Sequence, residues 1–147
     1  MSKALIVYSS RTGQTKAIGE LIAEGLRIAA VDVTMADVKD IKKEGDLAGY
    51  DAYLFGSPTY HGEMINGMKT FLFLAEKADL KDRVGGSFGA FGWSGEAPDR
   101  IYETMKNIYQ MNMVTGSLRL KASYLGGGIA MAQDYGKEVA AKIGITN

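Results

Sequence analysis

The stretch 4-ALIVYSSRTGQTK-16 runs an apolar, branched segment straight into four hydroxyl side chains, an arginine and a glycine. Residues 4–8 have the length and branching of a strand buried on both faces. The next residues read as the turn from that strand into a helix. Thr12 precedes Gly13 as a candidate N-cap, and Ile18, Leu21, Ile22, Gly25 and Leu26 recur at the three-and-four spacing of one buried helix face. A strand that empties into a helix over a short connection is the opening of a βαβ unit.

The alternation continues along the chain. Further strand-like runs lie at 31–35, 52–55, 84–91 and 114–121. Between them, 63-EMINGMKTFLFLAEKA-78 places Ile65, Met68, Leu72 and Ala75 on one helix face, and residues 99–108 do the same with Ile101, Met105 and Ile108. A last helix is expected over 131–143. The segment 37-DVKDIKKEGDLAGY-50 has little periodicity, so a short helix near 44–48 and loop elsewhere are expected. Strict alternation with short connections favours right-handed crossovers and a parallel sheet covered by helices on both faces. The expected fold is α/β, one domain over residues 1–147, with a doubly wound five-stranded parallel sheet of order 2-1-3-4-5. In such sheets ligands bind beyond the carboxyl ends of the strands, near the switch between strands 1 and 3.

Composition narrows the function. Lysine plus arginine balances aspartate plus glutamate at 17 each, so no global charge favours nucleic acid or an anionic membrane surface. The absence of cysteine excludes disulfides, thiolate metal sites, iron–sulfur ligation and cysteine nucleophiles. No stretch approaches membrane-spanning length, and 1-MSKALIVY-8 is too short for a signal-peptide core, so a cytoplasmic protein without membrane partners is expected.

Three loops fall at one edge of this sheet. In the first, Ser9, Ser10, Thr12 and Thr15, with the amides around Gly13 and the positive end of a helix, form a nest suited to phosphate. It lacks the lysine of a Walker loop and the three-glycine spacing of a dinucleotide fingerprint, so a monoester fits better than a pyrophosphate. A serine-rich helix cap that binds nothing would use the same residues. The second loop, 56-GSPTYHGEM-64, combines a rigid proline, Tyr60, His61 and a glycine, so Tyr60 either lies against a flat ligand or packs its own loop. The third, 90-AFGWSGEAPD-99, holds Trp93 between Gly92 and Gly95, where backbone can approach a ligand closely. Together they describe a phosphate cradle beside aromatic jaws, hence a planar phosphate ester, without singling out one molecule.

Across essentially its whole length the sequence resembles the flavodoxin family. The strand ALIVY followed by SSRTGQT is similar to the family's hydroxyl-rich phosphate loop, and GSPTYHGEM and GAFGWSGEA look like its two isoalloxazine-binding loops. The latter two look closest to the flavodoxin-like domains of flavodiiron proteins, and the length resembles a short-chain flavodoxin. The resemblance implies noncovalent flavin mononucleotide (FMN). Ser10, Arg11, Thr12, Gly13, Gln14 and Thr15 would hold its phosphate, with Ser9 at the start of the loop. Pro58, Thr59, Tyr60, His61 and Gly62 would contact one side of the ring, and Phe91, Gly92, Trp93 and Gly95 the other.

Departures from the family pattern are Gly19 in place of a helix alanine and His61 in place of a glycine that lets a peptide reorient beside the flavin. Trp93 replaces an acidic, tyrosine-containing loop, and the charge balance is neutral rather than acidic. Either Gly62 takes over the reorienting role or that reorientation is resisted.

The resemblance implies a monomeric, low-potential electron carrier that serves redox proteins docking transiently at the flavin edge, rather than an enzyme. Few cations are expected near the ring. The alternatives are an FMN-dependent quinone or nitro-compound reductase, and a flavin-independent signalling domain of the same topology. The first lacks a long extra loop to build a substrate pocket, and the second lacks carboxylates at the strand ends. The methionines at helical spacing read as core filler.

Overall fold

In the computed structural model, which describes residues 1–92, 94–121 and 127–146, the 4–8 run lies within β1 (Lys3–Tyr8). Ala4, Leu5, Ile6 and Val7 are all buried. Successive side chains of a strand point to opposite faces, so such a run needs cover on both. Ala4 and Ile6 pack with Ile18, Ile22 and Leu26 of α1 (Gln14–Ile28) and with Val139 and Ile143 of α4 (Gly128–Thr146). Leu5 and Val7 join a second cluster with Met68 and Leu72 of α2 (Asn66–Glu76) and Ile101 of α3 (Glu96–Glu103).

β1 sits inside a parallel sheet, between β2 (Asp32–Asp37) and β3 (Ala52–Gly56), and β3 pairs in turn with β6 (Val84–Ala90). This is the doubly wound order expected. The fifth position differs from the continuous strand expected over 114–121. It is filled by two pieces, β7 (Asn112–Met113) and β8 (Leu118–Leu120), both parallel to β6. Asn112 is opposite Val84 and Leu118 opposite Phe88, so two more residues lie between the pieces than between their partners, and the surplus loops out. Gly116, at φ 76°, makes the turn. Tyr135 from α4 holds it by donating to the Gly116 carbonyl at 2.9 Å while accepting from the Ser87 amide at 3.1 Å.

The 56–64 segment also has structure of its own. β4 (Thr59–Tyr60) and β5 (Glu63–Met64) form an antiparallel hairpin outside the main sheet. α3 begins at Glu96 rather than 99, with Pro98 in its first turn, where the missing N–H is no loss. It continues as a π-helical turn, Thr104–Ile108. α4 is longer than expected at both ends, and a 3-10 turn at Glu44–Leu47 matches the short helix expected there, with a second at Val38–Asp40. α1 and α4 meet backbone to backbone: a Cβ on Gly25 would lie 2.0 Å from the Gln133 carbonyl oxygen, and one on Gly136 2.2 Å from that of Ile22. Gly19, the helix departure, faces Met35 and Phe88, with atoms 3.2–3.3 Å from where a Cβ would stand. No helix among the described residues is long and apolar enough to cross a membrane.

Burial pushes the phenols of Tyr53, Tyr109 and Tyr135 above the ordinary tyrosine range. Their hydroxyls donate to the carbonyls of Leu47, Leu72 and Gly116 respectively. A group whose folded-state pKa is raised contributes stability that is complete below its unfolded value and lost as pH climbs past it. The Tm followed by circular dichroism is therefore expected to fall as pH rises through about 10 to 11. A Tm unchanged over that interval would contradict the burial of these phenols.

Candidate functional site

The carboxyl ends of β1, β3 and β6 open into one cleft of about 330 Å³. Ser10, Arg11, Thr12, Gln14 and Thr15 line it from the first loop, Pro58, Thr59 and Tyr60 from the second, and Phe91 and Gly92 from the third.

The first loop is built differently from the expected Thr12 cap. Gly13 is the N-cap of α1, at φ 88°, a left-handed conformation that a side chain would strain. Ser10 Oγ accepts from the Gly13 amide at 3.1 Å, which closes the loop. Thr12 is exposed and makes no hydrogen bond among the described residues. The amides that open α1, those of Gln14, Thr15 and Lys16, find no acceptor there either, as first-turn amides do unless something outside the helix supplies one. Unpaired amides and the positive helix end together favour an anion.

The other two hydroxyls sit deeper. Thr15 is buried, and its Oγ1 accepts from the Ala90 amide at 3.4 Å, tying the phosphate-type loop to the end of β6. The Thr15 hydroxyl hydrogen stays available to the cleft. Ser9 lies outside the lining. Its amide donates to the Gly56 carbonyl at 2.9 Å, and its buried Oγ has no partner among the described residues.

In the second loop, His61 (φ 52°) and Gly62 (φ 73°) are the central residues of the hairpin turn, and positive φ at both is what a type I′ turn requires. Histidine tolerates that region better than most side chains. Tyr60 is half-buried with the Arg11 guanidinium over its ring, 5.0 Å from the centroid. His61 and Gly62 line an adjoining depression with Gly92 and Ser94 instead of the main cleft. Thr59 Oγ1 accepts from the Ala97 amide at 3.0 Å, so the hairpin caps α3.

In the third loop, Phe91 and Gly92 face the cleft. Gly95 does not: it is the N-cap of α3, and a Cβ there would lie 3.0 Å from Arg119 Cδ and 3.4 Å from Phe91. The contribution expected of Trp93 lies outside the described residues.

Two lining residues escaped the sequence, Ala90 and Lys121. Lys121 directly follows β8, which runs parallel to β6 and so ends at the same sheet edge. With Arg11 it gives the cleft two cationic side chains. Two acidic groups nearby are ion-paired. Glu63 bridges Lys69 at 3.6 Å and Arg100 at 3.8 Å, and Asp99 pairs with Arg119 at 3.4 Å. A hydrogen bond from Ser94 is the main cause holding the Glu96 carboxyl below its usual range.

The sequence matches the flavodoxin-domain family model over residues 5–132. The flavodoxin of Maridesulfovibrio salexigens is 39% identical over 92 residues, covering 60% of this chain and 63% of that protein. A putative diflavin flavoprotein A 3 of Synechocystis sp. is 34% identical over 99 residues, 65% of this chain but only 17% of that protein. Each match thus spans less than two thirds of the relative's own length. Among solved structures, a flavodoxin from the domain Archaea superposes with a TM-score of 0.90 at 31% identity, covering 97% of this chain and 99% of the other.

Proposed function

Because the chain belongs to the flavodoxin family, we propose that it is an electron carrier that holds FMN noncovalently at the ends of β1, β3 and β6. The observation that carries this reading is the meeting, in one cleft, of unpaired first-turn amides of α1 with the aromatic side chains of Tyr60 and Phe91.

The residues fit a planar phosphate ester. The amides of Gln14, Thr15 and Lys16 and the hydroxyls of Ser10, Thr12 and Thr15 would hold the phosphate, with Gly13 permitting the turn and Ser9 supporting it from behind. Tyr60 and Phe91 would cover the ring system, while Pro58 and Thr59 set one wall and the backbone at Gly92 the other. His61 and Gly62 would border the exposed edge, and Gly95 would fix α3 behind Phe91. FMN supplies the electron-transfer chemistry when bound. The chain's own part is to orient it, exclude water from its faces and set the local field. Arg11 and Lys121 favour negative charge in the cleft, so Lys121→Gln is expected to lower the midpoint potential. We further propose that the protein works as a single chain, in the cytoplasm, and meets its redox partners transiently at this edge.

Titration of flavin-free protein tests the reading. FMN fluorescence is expected to be quenched at one equivalent, because Tyr60 would lie against the ring in the cleft. Riboflavin is expected to bind on the order of 100-fold more weakly, having lost several charge-assisted hydrogen bonds. Failure of both ligands to bind would overturn the proposal.

A further inference from the structure

Three depressions meet at Tyr60. It lines the main cleft of about 330 Å³, a second of about 380 Å³ with His61, Glu63 and Lys69, and a third of about 320 Å³ with Gly62 and Gly92. Arg11 lines the first two, and its guanidinium lies over the Tyr60 ring at 5.0 Å, so this stacked pair forms the wall between them. No carboxylate holds Arg11 in place: among the described residues its recorded partner is the ring, and Glu63, which shares the second depression, is bridged to Lys69 and Arg100. Yet Arg11 springs from the middle of the first loop, between Ser10, which closes that loop, and the exposed Thr12.

We propose that Arg11 is a phosphate-released latch on the ring site. The inference rests on the flavin reading and adds a source of selectivity to it. The guanidinium covers a face of Tyr60 that a planar ring would use for stacking. A ligand with a phosphate in the α1 loop offers the guanidinium, which lines the same cleft, a better, bidentate partner, and taking it frees the ring face. A planar ligand without a phosphate must displace the guanidinium and receives no compensating contact. Arg11 thus raises the affinity of the phosphorylated flavin and lowers that of its dephosphorylated form.

Titrations of wild type, Arg11→Ala and Arg11→Lys with FMN and with riboflavin, read by flavin fluorescence, separate the outcomes. Arg11 is exposed, and unchanged thermal melts are expected to show that both variants fold. For Arg11→Ala, FMN binding is expected to weaken roughly 10- to 100-fold. Riboflavin binding is expected to tighten about two- to fivefold, the worth of an exposed cation–π contact. Arg11→Lys, which keeps the charge without the planar fork, is expected to fall between the two. Equal weakening of both ligands, no change in either, or a loss confined to FMN would each overturn the latch. Absence of binding to wild type would overturn the flavin reading itself, so the two failures are distinguishable.

Discussion

Gly89→Ala is expected to lower the stability of the protein by about 1–3 kcal/mol, and to weaken FMN binding in the same variant. Residue 89 lies in β6, opposite Arg119 of β8. A Cβ there would stand 2.0 Å from the Ser57 carbonyl oxygen and 3.0 Å from Pro98 Cγ. The nearest obstacle is backbone, so no side-chain rotation relieves the clash. The Ser57 segment is held on both sides, by its amide donating to the Phe88 carbonyl at 3.1 Å and by Ser57 Oγ accepting from the Ile65 amide at 3.2 Å. Whatever retreats must carry Pro58, Thr59 and Tyr60 with it, and these form one wall of the cleft. Gly45→Ala, in the 3-10 turn at Glu44–Leu47 and outside the cleft lining, is the control, since nothing among the described residues lies within 4 Å of the Cβ it would add. Urea denaturation and FMN titration of both variants are the measurements. A Gly89→Ala variant with the wild-type midpoint and affinity would mean that β6 and the second loop are not in contact as described.

This coupling between sheet and site marks the boundary of what could be read from the sequence. The strand at 4–8 and the helix after it were legible because each is announced by residues a few positions apart, and the parallel order followed from the alternation of such elements along the chain. The split of the fifth strand was not, since it arises from two surplus residues in register against β6, a strand distant in sequence. The hairpin at 59–64 has strands of two residues, too short to show alternation, and its turn uses His-Gly in place of the commoner Asn-Gly. The three loops of the cleft were identifiable from their position at strand ends. The division of labour among their hydroxyls was not, because Thr15 and Thr59 are occupied by amides 75 and 38 residues away. The cap expected at Thr12 falls one residue later, at Gly13, whose left-handed backbone no sequence pattern announced. Lys121 closes the strand-like run 114–121, and nothing local reveals that it lines the cleft.

That division of labour is directly testable, because two threonines of the cleft are expected to respond in different ways to the same change. Thr59 is 8% exposed, and its Oγ1 is the acceptor for the amide of the fully buried Ala97. Valine has nearly the same shape and no acceptor, so Thr59→Val leaves that amide unpaired, at a cost of about 1–3 kcal/mol. It also removes a buried tie between the hairpin and α3 and leaves the exposed Glu63–Arg100 bridge, so the wall carrying Tyr60 is held less firmly and FMN affinity is expected to fall with stability. Thr12 is exposed and bonded to nothing among the described residues, so Thr12→Val is expected to change stability by less than about 0.5 kcal/mol. Its hydroxyl is free for the phosphate, and FMN binding is expected to weaken while riboflavin binding stays as it was. Thermal melts and paired titrations of the two variants therefore give different patterns: a stability loss with affinity lost for both ligands at Thr59, and an unchanged fold with a phosphate-dependent loss at Thr12. If Thr59→Val melts like wild type, water or backbone adjustment must satisfy Ala97, and the cleft is then held by its other ties, those through Thr15, Ser57 and the Glu63–Arg100 bridge among them. If Thr12→Val weakens both ligands equally, its hydroxyl serves the loop and the phosphate is held by the α1 amides without it.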